Sequence, residues 1–109
     1  MLRPATQSVR YTTPYPLDAA IAACGPGRED YIRLIYQLVE DAGGVVWDCE
    51  PTWGELHLGV ELSGGEEHPA WERVRSLWAV AEGSCEICGA AGVLRDGREY
   101  WRVLCDHHV

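Results

Sequence analysis

The segment from residue 84 to residue 109 reads SCEICGAAGVLRDGREYWRVLCDHHV, and it decides how the rest of the chain is interpreted. Cys85 and Cys88 form a C-x2-C pair followed by a glycine, which is the pattern of a tight turn that aims two thiolates at one point. Cys105 and His108 repeat the two-residue spacing near the end of the segment. Three thiolates and one imidazole match a tetrahedral Zn²⁺ site, so the sequence predicts one structural zinc per chain.

A β-hairpin is predicted between the two ligand pairs. Asp96-Gly97 is a strong hairpin-turn dipeptide, and it separates two strand candidates, Val93–Arg95 and Arg98–Leu104. Thiolates could also hold an iron–sulfur cluster, but two short ligand pairs joined by a hairpin favour zinc. Because four protein ligands leave no open position on the metal, we expect a structural site and not a catalytic one.

The fourth ligand requires a choice between the adjacent residues His107 and His108. His108 gives a C-x2-H spacing that mirrors the preceding C-x2-C pair, whereas His107 would give a cramped C-x-H. We therefore predict His108 as the ligand. His107 is then either solvated or placed beside a ligand that it supports.

Upstream of this segment, the hydrophobic pattern predicts a first helix from Glu29 to the glycines at 43 and 44. Acids in its first turn favour a helix start, and the two glycines favour a stop. Apolar residues recur at helical spacing and form the predicted buried face: Tyr31, Leu34, Ile35, Leu38, Val39 and Ala42.

An antiparallel β-hairpin and a second helix are predicted next. The strand candidates are Val45–Cys49 and Glu55–Leu62, with turn residues between them. The second strand alternates strictly, which places on one buried face Leu56, Leu58, Val60 and Leu62. Pro69 then opens a helix that ends at Gly83, and its apolar stripe comprises Trp71, Val74, Leu77, Trp78 and Ala81.

The fold class predicted from these elements is α+β: helix, antiparallel β-hairpin, helix, and a C-terminal Cys3His zinc ribbon. We divide the chain into a Pro-containing extended arm (1–28), an acidic core (29–82) and the ribbon (83–109). The arm contains a candidate for a short helix at Leu17–Cys24. Its four prolines exclude a long helix.

Charge is distributed unevenly along the chain. The net charge is −8, and residues 29–68 carry ten acids against a single arginine. Such a surface repels a phosphate backbone and suits a basic protein partner, although it could equally be a solvated face or an imitation of DNA. The candidates for contact with a partner are Glu50, Glu55, Glu61, Glu66 and Glu67.

A second functional hypothesis is nucleic-acid binding by the ribbon. Its hairpin combines basic and aromatic side chains that could contact phosphates and stack on bases: Arg95, Arg98, Tyr100, Trp101 and Arg102. Five arginines against six acids in residues 69–109 make a weak basic footprint, so we rank this role second.

Cys24 and Cys49 lie outside the ribbon. We interpret both as small buried hydrophobic residues. The alternatives are a second metal site that includes His57 or His68, for which the spacing is not typical, and a nucleophilic cysteine paired with His57.

The sequence contains no motif of an enzyme that we can assign, and we predict that the protein is not an enzyme and has no catalytic residue. H-E-x-x-H, a phosphate-binding glycine loop and the deaminase pattern are all absent. No apolar run reaches the ~18 residues of a membrane span, and the first residues lack the apolar stretch of a signal peptide. We therefore expect a cytoplasmic protein without a membrane partner.

Over residues 25–109, and most specifically in the ribbon, the chain resembles a group of small, largely uncharacterised bacterial and phage-associated proteins with a C-terminal zinc ribbon. The matching elements are Ala81-Glu82-Gly83-Ser84, Cys85-Glu86-Ile87-Cys88-Gly89, Gly92, Trp101 and Leu104-Cys105-Asp106-His107-His108, with a faint echo at Trp53–Leu56. The resemblance implies the fold and the zinc, and it carries no established activity. Small size, a closed metal site, the acidic core and the lack of a catalytic motif favour a protein-binding role as an inhibitor, an immunity-type protein or an adaptor. The setting that we expect is phage or bacterial defence.

Overall fold

A computed structural model of the chain describes residues 2–4, 13–96 and 101–109, and it confirms the α+β class. Single turns of 3-10 helix cover Pro26–Arg28 and Gly65–Glu67. The other elements, in chain order, are β1 (Leu2–Pro4), α1 (Leu17–Cys24), α2 (Glu29–Asp41), β2 (Val45–Thr52), β3 (Glu55–Glu61), α3 (Ala70–Glu82), β4 (Val93–Arg95) and β5 (Arg102–Leu104).

Helix α2 occupies the predicted position, but its buried face is rotated from the predicted one. Ile32, Ile35 and Val39 are buried, whereas Leu34 is 50% exposed. The prediction that Leu34 is buried was therefore wrong. The buried residues of the helix lie three and seven positions after Ile32, and Leu34 lies away from the line that they form on the helix surface. The glycines after the helix end it as expected, and the N–H of Gly44 donates to the Val39 carbonyl at 2.8 Å.

Strands β2 and β3 form the predicted antiparallel hairpin, and β1 adds a parallel strand on the other side of β3. The four predicted inward residues of the second strand are all buried, from Leu56 to Leu62. Strand β2 extends to Thr52, beyond the predicted end at Cys49, and contains an irregularity between Val46 and Asp48. The strand at β1 was not predicted, since three residues are too few to show a period of two.

The tip of this hairpin has an uncommon backbone conformation. Trp53 has a φ of 54° and Gly54 a φ of 81°, and positive φ at both central residues is typical of a type I′ turn. Glycine and asparagine adopt this conformation easily, but a bulky side chain adopts it rarely. The Trp53 side chain is 75% exposed, so it protrudes from the tip.

The three α-helices in the described ranges share one core with the inward face of the sheet. That core includes Cys24 of α1, Ile35 of α2, Leu58 of β3 and Val74 of α3. The predicted stripe of α3 is confirmed, because Trp71, Val74 and Ala81 are buried while Leu77 and Trp78 pack partly buried against them. One face of the sheet therefore packs on the helices. The opposite face carries charged residues, which alternate along the strands with the inward residues.

The ribbon has its own small core. Strands β4 and β5 pair antiparallel as predicted, and a separate buried cluster comprises Cys85, Leu104 and Cys105. The part of the predicted hairpin from Gly97 to Tyr100 lies outside the described residues. None of the helices in the described ranges is long and apolar enough to cross a membrane.

Candidate metal centre

The four predicted ligands lie together in the ribbon. One donor atom from each of Cys85, Cys88, Cys105 and His108 falls within 4.8 Å of all the others. The Cys88 and Cys105 sulfurs are 3.6 Å apart, and His108 Nδ1 is 3.7 Å from the Cys85 sulfur and 3.1 Å from the Cys105 sulfur. A tetrahedron with zinc-to-ligand bonds of ~2.0–2.3 Å has edges of ~3.3–3.8 Å. The distances of 3.6 Å and 3.7 Å therefore already fit one ion, and the distance of 3.1 Å is slightly short.

The two adjacent histidines are separated by the local backbone. The His108 N–H donates to the Cys105 carbonyl at 3.1 Å, which forms a turn that brings the imidazole back toward the thiols. His107 is exposed, and it is not part of the cluster. The structure thus places His108, which was predicted from its C-x2-H spacing, in the cluster of candidate metal ligands. Its Nδ1 atom lies beside the cysteine sulfurs.

The first ligand pair lies in a turn that only glycine accommodates at its end. The Gly89 N–H donates to the Cys85 carbonyl at 2.9 Å, and Gly89 has a φ of 84°. A Cβ at Gly89 would also lie 2.7 Å from the carbonyl oxygen of Gly27. Gly89 is therefore required both by the turn and by the segment that packs on it.

The turn also prepares its first sulfur to bind a cation. Burial by itself raises the pKa of the Cys85 thiol, but backbone N–H groups of Cys105, Cys88 and Ile87 lower it to about 6. For Cys88, the Ala90 N–H lowers the pKa, but desolvation and the neighbouring thiols outweigh it and raise the pKa. Hydrogen-bond donors aimed at a sulfur favour the thiolate, which is the form that binds a metal.

The loop between α1 and α2 packs directly on this turn, a contact that the sequence did not reveal. The Gly27 N–H donates to the Glu86 carbonyl at 2.9 Å. A Cβ at Gly27 would lie 2.2 Å from the Cys85 carbonyl oxygen and 2.4 Å from the Gly89 nitrogen. The only hint of this contact in the sequence was Gly25-Pro-Gly27, which predicts a turn but does not indicate which residues the turn contacts.

Arg28 is a buried arginine at the same junction. Its side chain is 1% exposed, and it donates from Nε to the Ala81 carbonyl at 2.8 Å and from Nη2 to the Glu82 carbonyl at 3.2 Å. These carbonyls lie at the end of α3, where the regular helical hydrogen bonds stop and where a positive charge interacts favourably with the helix dipole. The Ala81 carbonyl also accepts from the Ser84 N–H at 3.2 Å. Arg28 thus connects the loop, the end of α3 and the entry to the ribbon.

The predicted partner-binding acids fall into two groups. Glu50, Glu55 and Glu61 alternate with inward residues and are exposed on the sheet face opposite the helices. Glu66 and Glu67 are exposed in the 3-10 turn that follows β3. We call the surface formed by Glu50, Glu55 and Glu61 the acidic face.

Two side chains adjoin the acidic face near the hairpin tip. His57 Nε2 is 3.7 Å from a carboxylate oxygen of Glu55, and the Tyr15 hydroxyl donates to Glu50 at 3.4 Å. Both contacts are long, and both carboxylates remain exposed. The acids are therefore still accessible to a partner.

The arginines proposed for nucleic-acid binding are paired within the ribbon where they are described. Arg95 contacts Asp106 at 2.9 Å, and Arg102 forms an ion pair with Glu86. Trp101 is 43% exposed. Arg98 and Tyr100 lie outside the described residues.

An exposed apolar patch crosses from the hairpin tip to the ribbon. A Cβ at Gly54 would lie 2.3 Å from Leu94 Cδ1 and 3.2 Å from the Trp101 Cβ, so both side chains pack against the tip. A cleft of about 230 Å³ lies beside them, with Trp53, Trp101 and Pro51 in its lining. Periodicity could not reveal this patch, because its members come from separate hairpins.

The two remaining cysteines are buried in the main core, as predicted. Cys24 and Cys49 are at most 1% exposed, and their sulfurs face each other. His57 lies on the outward face of the sheet, and His68 Nδ1 accepts from the Ala70 N–H at 3.0 Å. Among the described residues only the ribbon cluster groups three or more metal-ligating side chains, so a second site with these histidines does not assemble.

Comparisons with protein-family models, curated proteins and solved structures found no match for this chain. The class of protein is therefore defined here by fold and site alone: an α+β protein whose C-terminal hairpin carries a Cys3His cluster that could bind a metal ion.

Proposed function

We propose that this chain is a non-enzymatic, cytoplasmic protein-binding module, stabilised by one structural Zn²⁺, whose acidic face and hairpin tip contact a basic protein. The inhibitor, immunity-type and adaptor roles all belong to this class. The resemblance to phage-associated bacterial proteins favours a setting in phage or bacterial defence.

The donor set supports zinc as the metal. Three thiolates and one imidazole suit a borderline-soft ion that accepts tetrahedral geometry, whereas Mg²⁺ and Ca²⁺ prefer oxygen ligands. With four protein ligands on one ion, no position is left for water or a substrate, so the expected role is structural. Elemental analysis of freshly purified protein should give about one zinc per chain, and iron in its place would contradict the proposal.

The observation that carries the binding role is the exposed Trp53 beside the acidic face. Tryptophan is over-represented among residues that dominate interface energies, and here it protrudes from a turn whose conformation disfavours it. The carboxylates of Glu50 and Glu55 flank the same hairpin end by register, since Glu50 pairs with His57 and Thr52 with Glu55. An apolar anchor beside like charges suits a partner with an apolar pocket and a basic rim.

The charges favour a protein partner over a nucleic acid. Residues 29–68 are strongly acidic, and the described ribbon arginines at 95 and 102 already contact carboxylates. A phosphate backbone would have to compete with these internal acids and approach a chain of net charge −8. A basic protein surface would instead be attracted by these exposed carboxylates.

The test compares two variants of equal charge change. In the face variant, Glu50, Glu55 and Glu61 become lysine; in the control variant, the exposed helix residues Asp30, Glu40 and Glu72 become lysine. Binding partners are captured from a host lysate with the wild-type chain, purified, and titrated against all three proteins at two salt concentrations. The face variant should bind at least about tenfold more weakly, with the loss reduced at high salt.

Equal losses for the face and control variants would show that binding depends only on net charge and would contradict the assigned face. A further variant, Trp53→Asn, replaces the aromatic side chain with a residue that readily adopts positive φ. It should weaken binding by tenfold or more (on the order of 2 kcal/mol) while leaving the melting temperature equal or higher. Unchanged affinity would remove Trp53 from the interface.

Nucleic-acid binding by the ribbon remains the alternative, and the exposed Trp101 is the feature that favours it. A mobility-shift assay at low salt with single- and double-stranded DNA and RNA tests it directly. A shift at micromolar protein that disappears in Trp101→Ala would favour this alternative. The proposed protein-binding role predicts no shift.

A further inference from the structure

The Cys24–Cys49 pair has a geometry that simple packing does not require. The two sulfurs are 3.9 Å apart, and the Cys24 sulfur is also 3.7 Å from the Cys49 carbonyl oxygen. The residues are 25 positions apart in sequence, one at the end of α1 and the other in β2. A disulfide needs a sulfur–sulfur distance of ~2.05 Å, so an approach of about 2 Å would join them.

We infer that Cys24 and Cys49 form a redox-sensitive dithiol, a modification site at which mild oxidation joins α1 covalently to the sheet. The inference does not depend on the proposed binding function or on the metal. Both side chains belong to the main core, whereas the metal ligands belong to the ribbon.

The surroundings make the two sulfurs chemically unequal. The hydrogen bond from Cys49 lowers the pKa of Cys24, and the positive charge of Arg28 acts in the same direction against burial. The hydrogen bond to Cys24, together with burial, raises the pKa of Cys49. Because the thiolate is the reactive form, the nearby positive charge of Arg28 favours Cys24 as the attacking sulfur and Cys49 as the one that resolves the intermediate.

The oxidation balances with hydrogen peroxide as the oxidant. The Cys24 thiolate attacks one peroxide oxygen, the O–O bond breaks, and the departing hydroxide takes up a proton to give water and a Cys24 sulfenic acid. The Cys49 sulfur then attacks the Cys24 sulfur, the S–O bond breaks, and the second hydroxide leaves as water with the proton from Cys49. Two thiols and one peroxide thus give one disulfide and two waters.

Burial determines when this reaction occurs. Both cysteines are at most 1% exposed, so the oxidant reaches them only when α1 separates locally from the sheet. Helix α1 has eight residues and begins after Pro16, so it offers a short unit for such opening. Once formed, the disulfide would make that opening rarer without abolishing it, and a dithiol reductant that reaches the bond in the open state would reverse it.

The test uses the full, zinc-loaded chain treated with a small excess of hydrogen peroxide and then alkylated. The chain contains no lysine, so trypsin cuts only at arginine and places Cys24 in peptide 11–28 and Cys49 in peptide 34–73. The metal-ligand cysteines fall in peptides 76–95 and 103–109. The expected product is peptide 11–28 joined to 34–73, two hydrogens lighter than the sum, with no zinc released to a colorimetric indicator.

The melting temperature supplies a second readout. Oxidation of the wild type should raise it by roughly 10 °C, and dithiothreitol should restore the original value. Cys24→Ala should show neither the joined peptide nor the shift; if this variant does not fold, the joined peptide in the wild type and its loss on reduction decide. The inference is overturned if Cys24 and Cys49 both remain reduced, and are recovered as alkylated cysteines, while ribbon cysteines are oxidised and zinc is released. It is also overturned if Cys24 is joined to a ribbon cysteine.

Discussion

Single residues at the junction between the two cores control how the ribbon is attached. Arg28 reaches the last carbonyls of α3, and the hydrogen-bonded turn at Cys85 begins three residues after that helix ends. His108 closes the cluster from the other end of the ribbon. Arg28 and His108 each have a nearby residue of the same type, Arg33 and His107, that does not share their contacts, so matched substitutions are possible.

Arg28→Met should lower the free energy of unfolding by about 2–3 kcal/mol, because the Ala81 and Glu82 carbonyls at the end of α3 would lose their hydrogen bonds to the guanidinium in a buried position. The control is Arg33→Met, which removes only an exposed ion pair with Glu29 on α2 and should cost less than about 0.5 kcal/mol. Urea denaturation followed by circular dichroism measures both. Equal small losses would mean that Arg28 is not a structural connector.

His108→Ala should lower zinc affinity by more than about 100-fold, whereas His107→Ala should leave it within a few-fold of the wild type. The reason is that Nδ1 of His108 lies among the thiols while His107 is exposed. Competition against a chromophoric chelator gives both affinities. A larger loss in the His107 variant would reverse the assignment of the fourth ligand.

Acidification should release the metal, with a midpoint below pH 6. The pKa of Cys85 in the folded chain is lowered from 9.0 to about 6, so its stabilising contribution is present above 9 and is lost as the pH falls through 6. Bound metal competes with the proton and moves the midpoint lower still. Zinc release followed with an indicator during an acid titration tests this, and release complete at neutral pH would contradict it.

At the scale of elements, the Gly25–Gly27 loop is a link between the helical layer and the ribbon. The α1–α2 connection and the first ligand turn approach backbone to backbone, with the Gly27 N–H on the Glu86 carbonyl. Leu56 at the start of β3 also donates its N–H to the Glu82 carboxylate of α3 at 3.3 Å. The ribbon is thus held by loops and helix ends more than by any face of a helix.

Gly27→Ala should weaken zinc binding by about tenfold or more and lower the melting temperature, because the added Cβ would overlap backbone atoms of Cys85 and Gly89. Gly83→Ala is the matched control. Gly83 also lacks a positive φ, and the nearest atom to its Cβ would be at an ordinary 3.7 Å. If both variants bind zinc like the wild type, the loop does not support the metal turn.

At the scale of the whole molecule, the chain has two cores of unequal strength. Among the described residues, the main cluster unites three helices and the sheet, whereas the ribbon cluster comprises Cys85, Leu104 and Cys105, two of them candidate metal ligands. A core this small cannot offset the conformational entropy of some 25 residues without a metal. The metal is thus expected to determine the order of the ribbon and much less that of the helices.

Removal of zinc with a chelator should therefore unfold the ribbon selectively. In hydrogen exchange, amides of β4, β5 and the turn at Cys85 should lose protection, whereas those of α2 and β3 should retain most of it. Cys105→Ser should reproduce the pattern without a chelator. Loss of protection throughout the chain would show that the two cores unfold as one unit.

Much of this architecture could be predicted because its signals are local. The helical period after Glu29, the alternation from Leu56 to Leu62 and the paired ligand spacings each lie within a short stretch, and the structure bears out the fold class that they imply. Leu34 was wrongly predicted to be buried. A periodic pattern defines only a broad apolar side of the helix, and the packing against other elements decides which part of that side is buried.

What the sequence by itself determined is the set of elements and the four candidate ligands, since spacing alone limits which donors can meet at one ion. Only the tertiary structure decided what surrounds them: the Gly27 contact with the turn, the buried Arg28, the meeting of Cys24 with Cys49, and the patch formed by Trp53 and Trp101. These contacts join residues far apart in the chain. They depend on how the elements pack, which no local pattern of residues records.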